Sequence, residues 1–309
     1  MSIVFNKSKE ISLDDETLRS DLLKIASGMD NVIALGRGDP DFHTPRHIVE
    51  AAKKALDENK HHYTPPTGLP ELRKSISKNF ELKYNLDYSE DEIIITAGVQ
   101  ESIALAMISL LKADDEVLIT SPRFTTYDLT VRMCNAKPVP VHTYEKDNFA
   151  LMPELIEQKI TKKTKLLVLV SPNNPTGAVT PPKNIKKIAQ IAIDNNLIVI
   201  SDEIYADLIY GSHEHLSIGS LEKMKERTLT LNGFSKTYAM TGWRVGYIAG
   251  PKDIINKMTE IRHALSINSC TFSQYGALAA LDGPQEEINK MKNEYNERRK
   301  FSMKALSDI

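Results

Sequence analysis

The sequence predicts an α/β fold with a mostly parallel sheet and helices on both of its faces, and three patterns support this. Short β-branched apolar runs recur, stretches with helical spacing lie between them, and three runs end in turn residues. In chain order the runs are Ile93 to Thr96, Val117 to Thr120, Leu166 to Val170, Leu197 to Ile200, Thr228 to Leu231 and Val245 to Ala249. Each has the length and composition of a buried strand. Leu69, Leu72, Ile76 and Phe80 are spaced as one face of a helix ahead of the first run. Ile103, Met107, Leu110 and Leu111 repeat that spacing after it, and Ile185, Ile188 and Ala192 do so ahead of the fourth. Strands alternating with helices imply parallel neighbours buried on both faces. No internal repeat, low-complexity tract or Pro/Gly/Ser-rich linker interrupts the pattern.

Composition narrows the function classes. The 309 residues suffice for one large domain with an appendage, or for two domains. With 39 basic against 41 acidic residues, a formal net charge of -2 and no block of one sign, neither nucleic acid nor a membrane surface is an expected partner. A small molecule or another protein is. Cys134 and Cys270 stand far apart and outside any CxxC pattern, which suits a reducing compartment. The opening MSIVFNKSKEISLDDE has no apolar core of a signal peptide, and the longest apolar run is too short to span a bilayer. A soluble, cytoplasmic protein is therefore expected. HTPRH at 43–47 and HEH at 213–215 lack the Cys or carboxylate cluster of a structural zinc site, so no metal is expected.

The runs VLITSPRF, LVLVSPNNPTG and VISDEIY end where an open parallel sheet binds its ligands, outside the carboxyl ends of the strands. Lys236 stands in GFSKTYAMTGW, an otherwise uncharged segment from Gly233 to Trp243. A lysine that forms a Schiff base needs its neutral amine, and a setting without anions disfavours the ammonium. Taken alone, a lysine in a loop is in most proteins a solvated surface charge, so Lys236 needs companions. Pyridoxal phosphate would need companions of definite types: an acid for its ring nitrogen, donors for its ring oxygen, an aromatic face and anion-binding groups. Asp202 is an acid where burial requires a cationic partner, or else a helix cap over EIYADLIY. Tyr205 is a donor to the ring oxygen or a core tyrosine. TAGVQESIALA, 96–106, runs from a strand through glycine into a helix whose first N–H groups suit a phosphate. Arg244 offers a bidentate contact to that phosphate or a surface salt bridge, and Phe124 a ring to stack upon or a core aromatic.

SPNNPTG, SDEIYADLIY and GFSKTYAMTGWRVGY, with LGRGDPDFHTP at 35–45 and YTPPTGLPELR at 63–73, resemble the class I/II aminotransferases of the fold-type I pyridoxal-phosphate superfamily. The likeness is to the branch that holds many bacterial aspartate aminotransferases, and it covers the chain from about residue 30. It implies a fold-type I transferase with a large cofactor domain at 45–280 and a partial small domain from 1–44 and 281–309. It also implies pyridoxal 5'-phosphate as cofactor, an amino acid and a 2-oxo acid as substrates, and a homodimer with shared sites. By the same resemblance Lys236 is the Schiff-base lysine and Asp202 the partner of the pyridine nitrogen, while Asn174 and Tyr205 hold the ring oxygen. Phe124 stacks on the ring. Gly98, Val99, Gln100 and Arg244 hold the phosphate, Tyr63 reaches the phosphate of the neighbouring subunit, and Gly38 and Asn174 meet the substrate.

Two departures qualify the likeness. Many relatives carry serine three residues before the lysine, where this chain has Gly233, so Ser235 or backbone donors are expected to stand in. The resembled family also continues past ALSDI into a small domain whose arginine binds the substrate carboxylate, which leads us to expect a C-terminally truncated member. Arg37 and Arg123 are then the alternative anchors. Ile288, Met291 and Tyr295 form an apolar stripe that requires a partner layer. A pyridoxal-phosphate carbon–sulfur β-lyase uses a similar set of groups, and an inactive cofactor-binding homologue is the reading outside enzymology.

Overall fold

All six apolar runs become strands of one seven-stranded sheet in the computed structural model, which describes residues 38–307 together with Ile25, Gly28, Met29 and Gly36. Arg37 lies outside the described residues. The strands are β1 (Ile93–Thr96), β2 (Glu116–Ser121), β3 (Lys137–His142), β4 (Thr164–Val170), β5 (Ile198–Asp202), β6 (Thr228–Gly233) and β7 (Gly246–Ala249), in the spatial order β1-β7-β6-β5-β4-β2-β3. β2, β3, β4, β5 and β6 run parallel, and β7 is antiparallel to both of its neighbours. Since β1 is antiparallel to β7, it points the same way as β6. The carboxyl ends of six strands and the beginning of β7 therefore share one edge.

One strand was not legible as an apolar run. KPVPVH forms β3, with Pro138 and Pro140 opposite Val117 and Ile119 of β2. Proline removes a ladder donor and is confined to sheet edges or strand starts. β3 pairs with β2 alone among the described residues.

The helices are α1 (Arg46–Asp57), α2 (Pro70–Tyr84), α3 (Val99–Leu110), α4 (Thr126–Met133), α5 (Pro153–Glu157), α6 (Pro182–Asp194), α7 (Lys252–Leu265), α8 (Thr271–Asp282) and α9 (Glu286–Ser307). Alternate strand residues divide between the two faces, as a period of two requires. Ile94, Ile119, Val168, Ile200, Leu231 and Ile248 face a layer made by α3, α4 and α7. On the opposite face, Ile93, Ile95 and Tyr247 meet α1, α2, α8 and α9, while Leu118, Leu167, Leu169 and Val199 meet α5 and α6. The predicted stripe of α2 is fully buried at Leu72, Ile76 and Phe80, and each such side chain contributes about 1.5–3 kcal/mol. Phe80 makes edge contacts with Tyr84, Tyr88 and Tyr247 at centroid distances of 6.3, 5.7 and 5.5 Å. The stripe of α9 finds its partner within the chain. Ile288 and Met291 are buried in the same cluster, and Tyr295 meets Phe42 edge to face at 5.1 Å.

The chain divides into two units, Met1–Asp39 and Pro40–Ile309, and the whole sheet belongs to the second. Among the described residues no helix is long and apolar enough to cross a membrane.

Candidate active site

Parallel strands deliver to the shared edge the residues that follow them, and β7, running the other way, delivers the residues that precede it. The edge thus collects Ala97 to Gln100 after β1, Phe124 after β2, Asn174 after β4, Asp202 and Tyr205 at and after β5, Lys236 after β6, and Arg244 before β7.

Asp202 is buried, with 6 % of its surface exposed. Tyr127 Oη donates to its Oδ2 at 2.5 Å, and the Ile204 N–H donates to its Oδ1 at 3.1 Å. Burial dominates its titration and lifts the carboxyl from 3.8 to about 6, against the lowering effects of the Tyr127 and Ile204 hydrogen bonds and of the Lys236 charge. The helix that Asp202 was to cap does not form, because residues 204–207 are turn. Tyr127 is a site residue that the sequence pattern did not reveal. It lies in the first turn of α4, three positions after Phe124, and nothing in its spacing marks its hydroxyl as a partner of Asp202. Desolvation, and then the charge of Asp202, raise its phenol well above 10.

Lys236 lies half-buried with its Nζ 6.0 Å from the centroid of the Tyr205 ring. Asn174 Nδ2 stands 3.5 Å from Tyr205 Oη, so the two predicted ring-oxygen donors are neighbours. Burial, followed by the charge of Asp202, raises the Tyr205 phenol. Phe124 packs partly buried against the core on the α3 face.

The other end of the site is made of backbone and one guanidinium. Gly98 precedes α3 at φ 86°, and a Cβ there would lie 2.5 Å from Arg244 Nη2. Arg244 donates through Nη1 to the Thr241 carbonyl at 2.9 Å and through Nη2 to the Ala97 carbonyl at 3.1 Å. A Cβ on Gly246 would meet the Gly98 carbonyl carbon and the Val99 nitrogen at 2.8 Å, so the turn rests directly on β7. Val99 opens α3. Gln100, exposed, reaches Thr126 Oγ1 at 3.4 Å.

Gly233 pairs with Gly246 across the sheet, and a Cβ on it would lie 3.0 Å from Gly246 Cα and 3.2 Å from the Val245 carbonyl. Ser235 is half-buried and accepts the Met240 N–H at 3.2 Å through its carbonyl. Tyr63 is 79 % exposed and joins none of these contacts. Gly38 is exposed and belongs to the unit that ends at Asp39. Arg123 is engaged by Asp128, its Nε donating to Oδ2 at 2.5 Å and its Nη2 to Oδ1.

Among the described residues no three His, Cys, Asp or Glu side chains gather as metal ligands. His215 of HEH lies instead 2.9 Å from Glu203 Oε2. Burial would lower its titration, but the charge and hydrogen bond of Glu203 outweigh that and raise it. Glu203 also accepts from Ser201 Oγ at 2.8 Å and Ser217 Oγ at 2.6 Å.

The family model for aminotransferases of class I and II matches residues 30–309. An aspartate aminotransferase of Pyrococcus abyssi is 43 % identical over 291 residues, which are 93 % of this chain and 75 % of that protein. Aromatic-amino-acid aminotransferase 2 of Thermococcus litoralis is 40 % identical over the same shares. The structure of the Thermus thermophilus aspartate aminotransferase with maleate superposes with a TM-score of 0.90 at 35 % identity, covering 95 % of this chain and 77 % of that one.

Proposed function

The chain belongs to the class I and II aminotransferases, and on that premise we propose that this edge holds pyridoxal 5'-phosphate and that the protein moves an amino group between an L-amino acid and a 2-oxo acid. The observation that carries the reading is the buried Asp202 carboxylate at the carboxyl end of β5, on the edge that also receives Lys236 and Arg244.

The residues fit the cofactor. A buried carboxylate is costly without a cation, and a protonated ring nitrogen would supply one. The Gly98 turn, where a Cβ would strike Arg244, sets the first backbone N–H groups of α3 beside that guanidinium, a pairing suited to a phosphate. Asp202 would hold the ring nitrogen, Asn174 and Tyr205 the ring oxygen, Phe124 one ring face, and Gly98, Val99, Gln100, Ser235 and Arg244 the phosphate. Tyr63, exposed at 79 %, stands clear of the core in a way that suits reach toward a second subunit of a homodimer. Gly38 and Asn174 would meet the substrate. The cofactor-binding domain would span 45–280, with 1–44 and 281–309 as segments of the small domain. The two free cysteines support a reducing, cytoplasmic setting.

When bound, the cofactor withdraws electron density from the substrate Cα. Lys236 Nζ would hold the cofactor through its carbonyl carbon and, as a free amine, would carry the proton at the substrate Cα. Tyr127, donating to Oδ2, favours the ionised form of Asp202 against burial and orients the carboxylate. Asn174 and Tyr205, neighbours at 3.5 Å, would hold the ring oxygen and limit rotation of the ring.

Reconstitution of the purified protein with pyridoxal phosphate, followed by absorption of the lysine-bound cofactor and amino transfer to 2-oxoglutarate, tests the assignment. Lys236→Ala should remove both signals. An unchanged band in that variant would sink it, and release of pyruvate and ammonia from cystathionine without amino transfer would favour a lyase.

A further inference from the structure

Two loops at the active edge are tied to one buried guanidinium. Arg262 lies on α7 with 0 % of its surface exposed, a place a cation seldom occupies unless it is paired. Nη1 donates to the Pro66 carbonyl at 2.7 Å and to the Ile95 carbonyl, and Nη2 donates to Ser269 Oγ at 2.5 Å. Its Nε has no hydrogen-bond acceptor and faces Glu101 Oε1 at 3.6 Å. Glu101 stands in the first turn of α3. Its Oε2 accepts the Ala97 N–H at 2.5 Å, and its Oε1 accepts Ser266 Oγ at 3.0 Å. The carbonyl of that same Ala97 is the acceptor of Arg244. A continuous set of contacts therefore runs from Arg262 through Glu101 and Ala97 to Arg244.

The loop after Tyr63 ends on the same support. Pro66 is held by Arg262. The fully buried Gln274 accepts the Leu69 N–H at 2.8 Å and donates to Thr64 Oγ1 at 3.2 Å and to the Ser269 carbonyl at 2.9 Å.

An acid at Glu101 is at odds with simple electrostatics. A carboxylate favours a helix N-terminus in isolation, but it repels an anion that the same N-terminus is to bind. Arg262 offsets its charge, and its two oxygens are engaged in fixing the Ala97 peptide and Ser266. We propose that Arg262 and Glu101 are positioning residues for the cofactor phosphate: Arg262 holds Glu101, and Glu101 sets the Ala97 peptide, so that the 97–100 turn and Arg244 keep the spacing the phosphate requires. This rests on the reading that the phosphate binds at that turn.

Apoprotein titrated with pyridoxal phosphate and, separately, with pyridoxal tests it, with quenching of the single tryptophan, Trp243, as the readout. Glu101→Gln removes the charge and keeps the shape. It should raise the dissociation constant for pyridoxal phosphate about tenfold, a change of one order in affinity, and leave that for pyridoxal unchanged, while the loss of Arg262's counter-charge lowers the melting temperature. Arg262→Lys keeps the charge but cannot serve Pro66, Ile95 and Ser269 at once, and should act in the same direction; if it does not fold, Glu101→Gln decides alone. Unchanged or tighter pyridoxal phosphate binding in Glu101→Gln overturns the proposal, since relief of repulsion alone would tighten it. Equal weakening toward both compounds also overturns it, as a general structural defect. Arg244→Gln separates the premises. If it abolishes the preference for the phosphorylated compound while Glu101→Gln does not, the positioning role falls and the phosphate site stands. If neither variant changes that preference, the phosphate site falls and the positioning role with it.

Discussion

Asp202 and Arg244 stand at one edge of one sheet, yet Asp202 is buried with 6 % of its surface exposed and Arg244 is open to solvent. The first ends a parallel strand and is held by a buried phenol and a backbone N–H. The second precedes an antiparallel strand and is held by two carbonyls, against a turn that only glycines at 98 and 246 allow. The difference separates two kinds of control. At Asp202 the protein sets a free energy of charge, through desolvation. At Arg244 it sets a shape, through sterics, and leaves the charge to water.

If that division is right, a change that spares shape should matter most at the buried end. Asp202→Asn should lower the rate of amino transfer by about 10²–10³-fold, the usual effect of removing one preorganised charge. Steady-state kinetics on the reconstituted variant reads it, and a loss confined to cofactor affinity would contradict the division. At the open end a change of shape should matter more. Gly98→Ala places a Cβ 2.5 Å from Arg244 Nη2 at a residue with φ 86°, and the strain is about 1–3 kcal/mol. Fluorescence titration should show weaker pyridoxal phosphate binding by about tenfold or more, with a turnover rate at saturation close to that of the parent. The smallest effect concerns the protein without cofactor. The Asp202 carboxyl is raised from 3.8 to about 6, so its contribution to stability is full below its ordinary value and is lost as pH rises through about 6. Apo Asp202→Asn should therefore gain on the parent by about 1–3 kcal/mol as pH goes from about 4 to about 8, as read by urea unfolding. A constant difference across that range would show that Asp202 is not desolvated.

Much of the sheet and part of the site could be read from the chain, for reasons that are local. Apolar β-branched runs mark buried strands because both faces of a parallel sheet are covered, and Ile93 to Thr96 or Leu166 to Val170 carry that mark fully. Strand direction has no such mark. Nothing in GYIA distinguishes β7 from its parallel neighbours, although its reversal is what brings Arg244 to the active edge. β3 was missed because its prolines break the apolar pattern. Tyr127 was missed because a buried tyrosine reads as core until its hydroxyl partner is known. Arg262 was missed because a charged residue on a helix reads as solvated. The stripe of α9 was legible, but not its partner Phe42, which lies more than two hundred residues earlier.

The prolines of β3 also have a bearing far from catalysis. Lys137 and Thr143 donate their N–H groups toward β2, to the carbonyls of Asp115 and Ser121. Backbone N–H groups alternate sides along a strand, so the even positions face away from β2. Pro138 and Pro140 occupy two of those positions. Among the described residues the outer margin of the sheet thus lacks two of the donors another strand would need, which disfavours edge-to-edge pairing there.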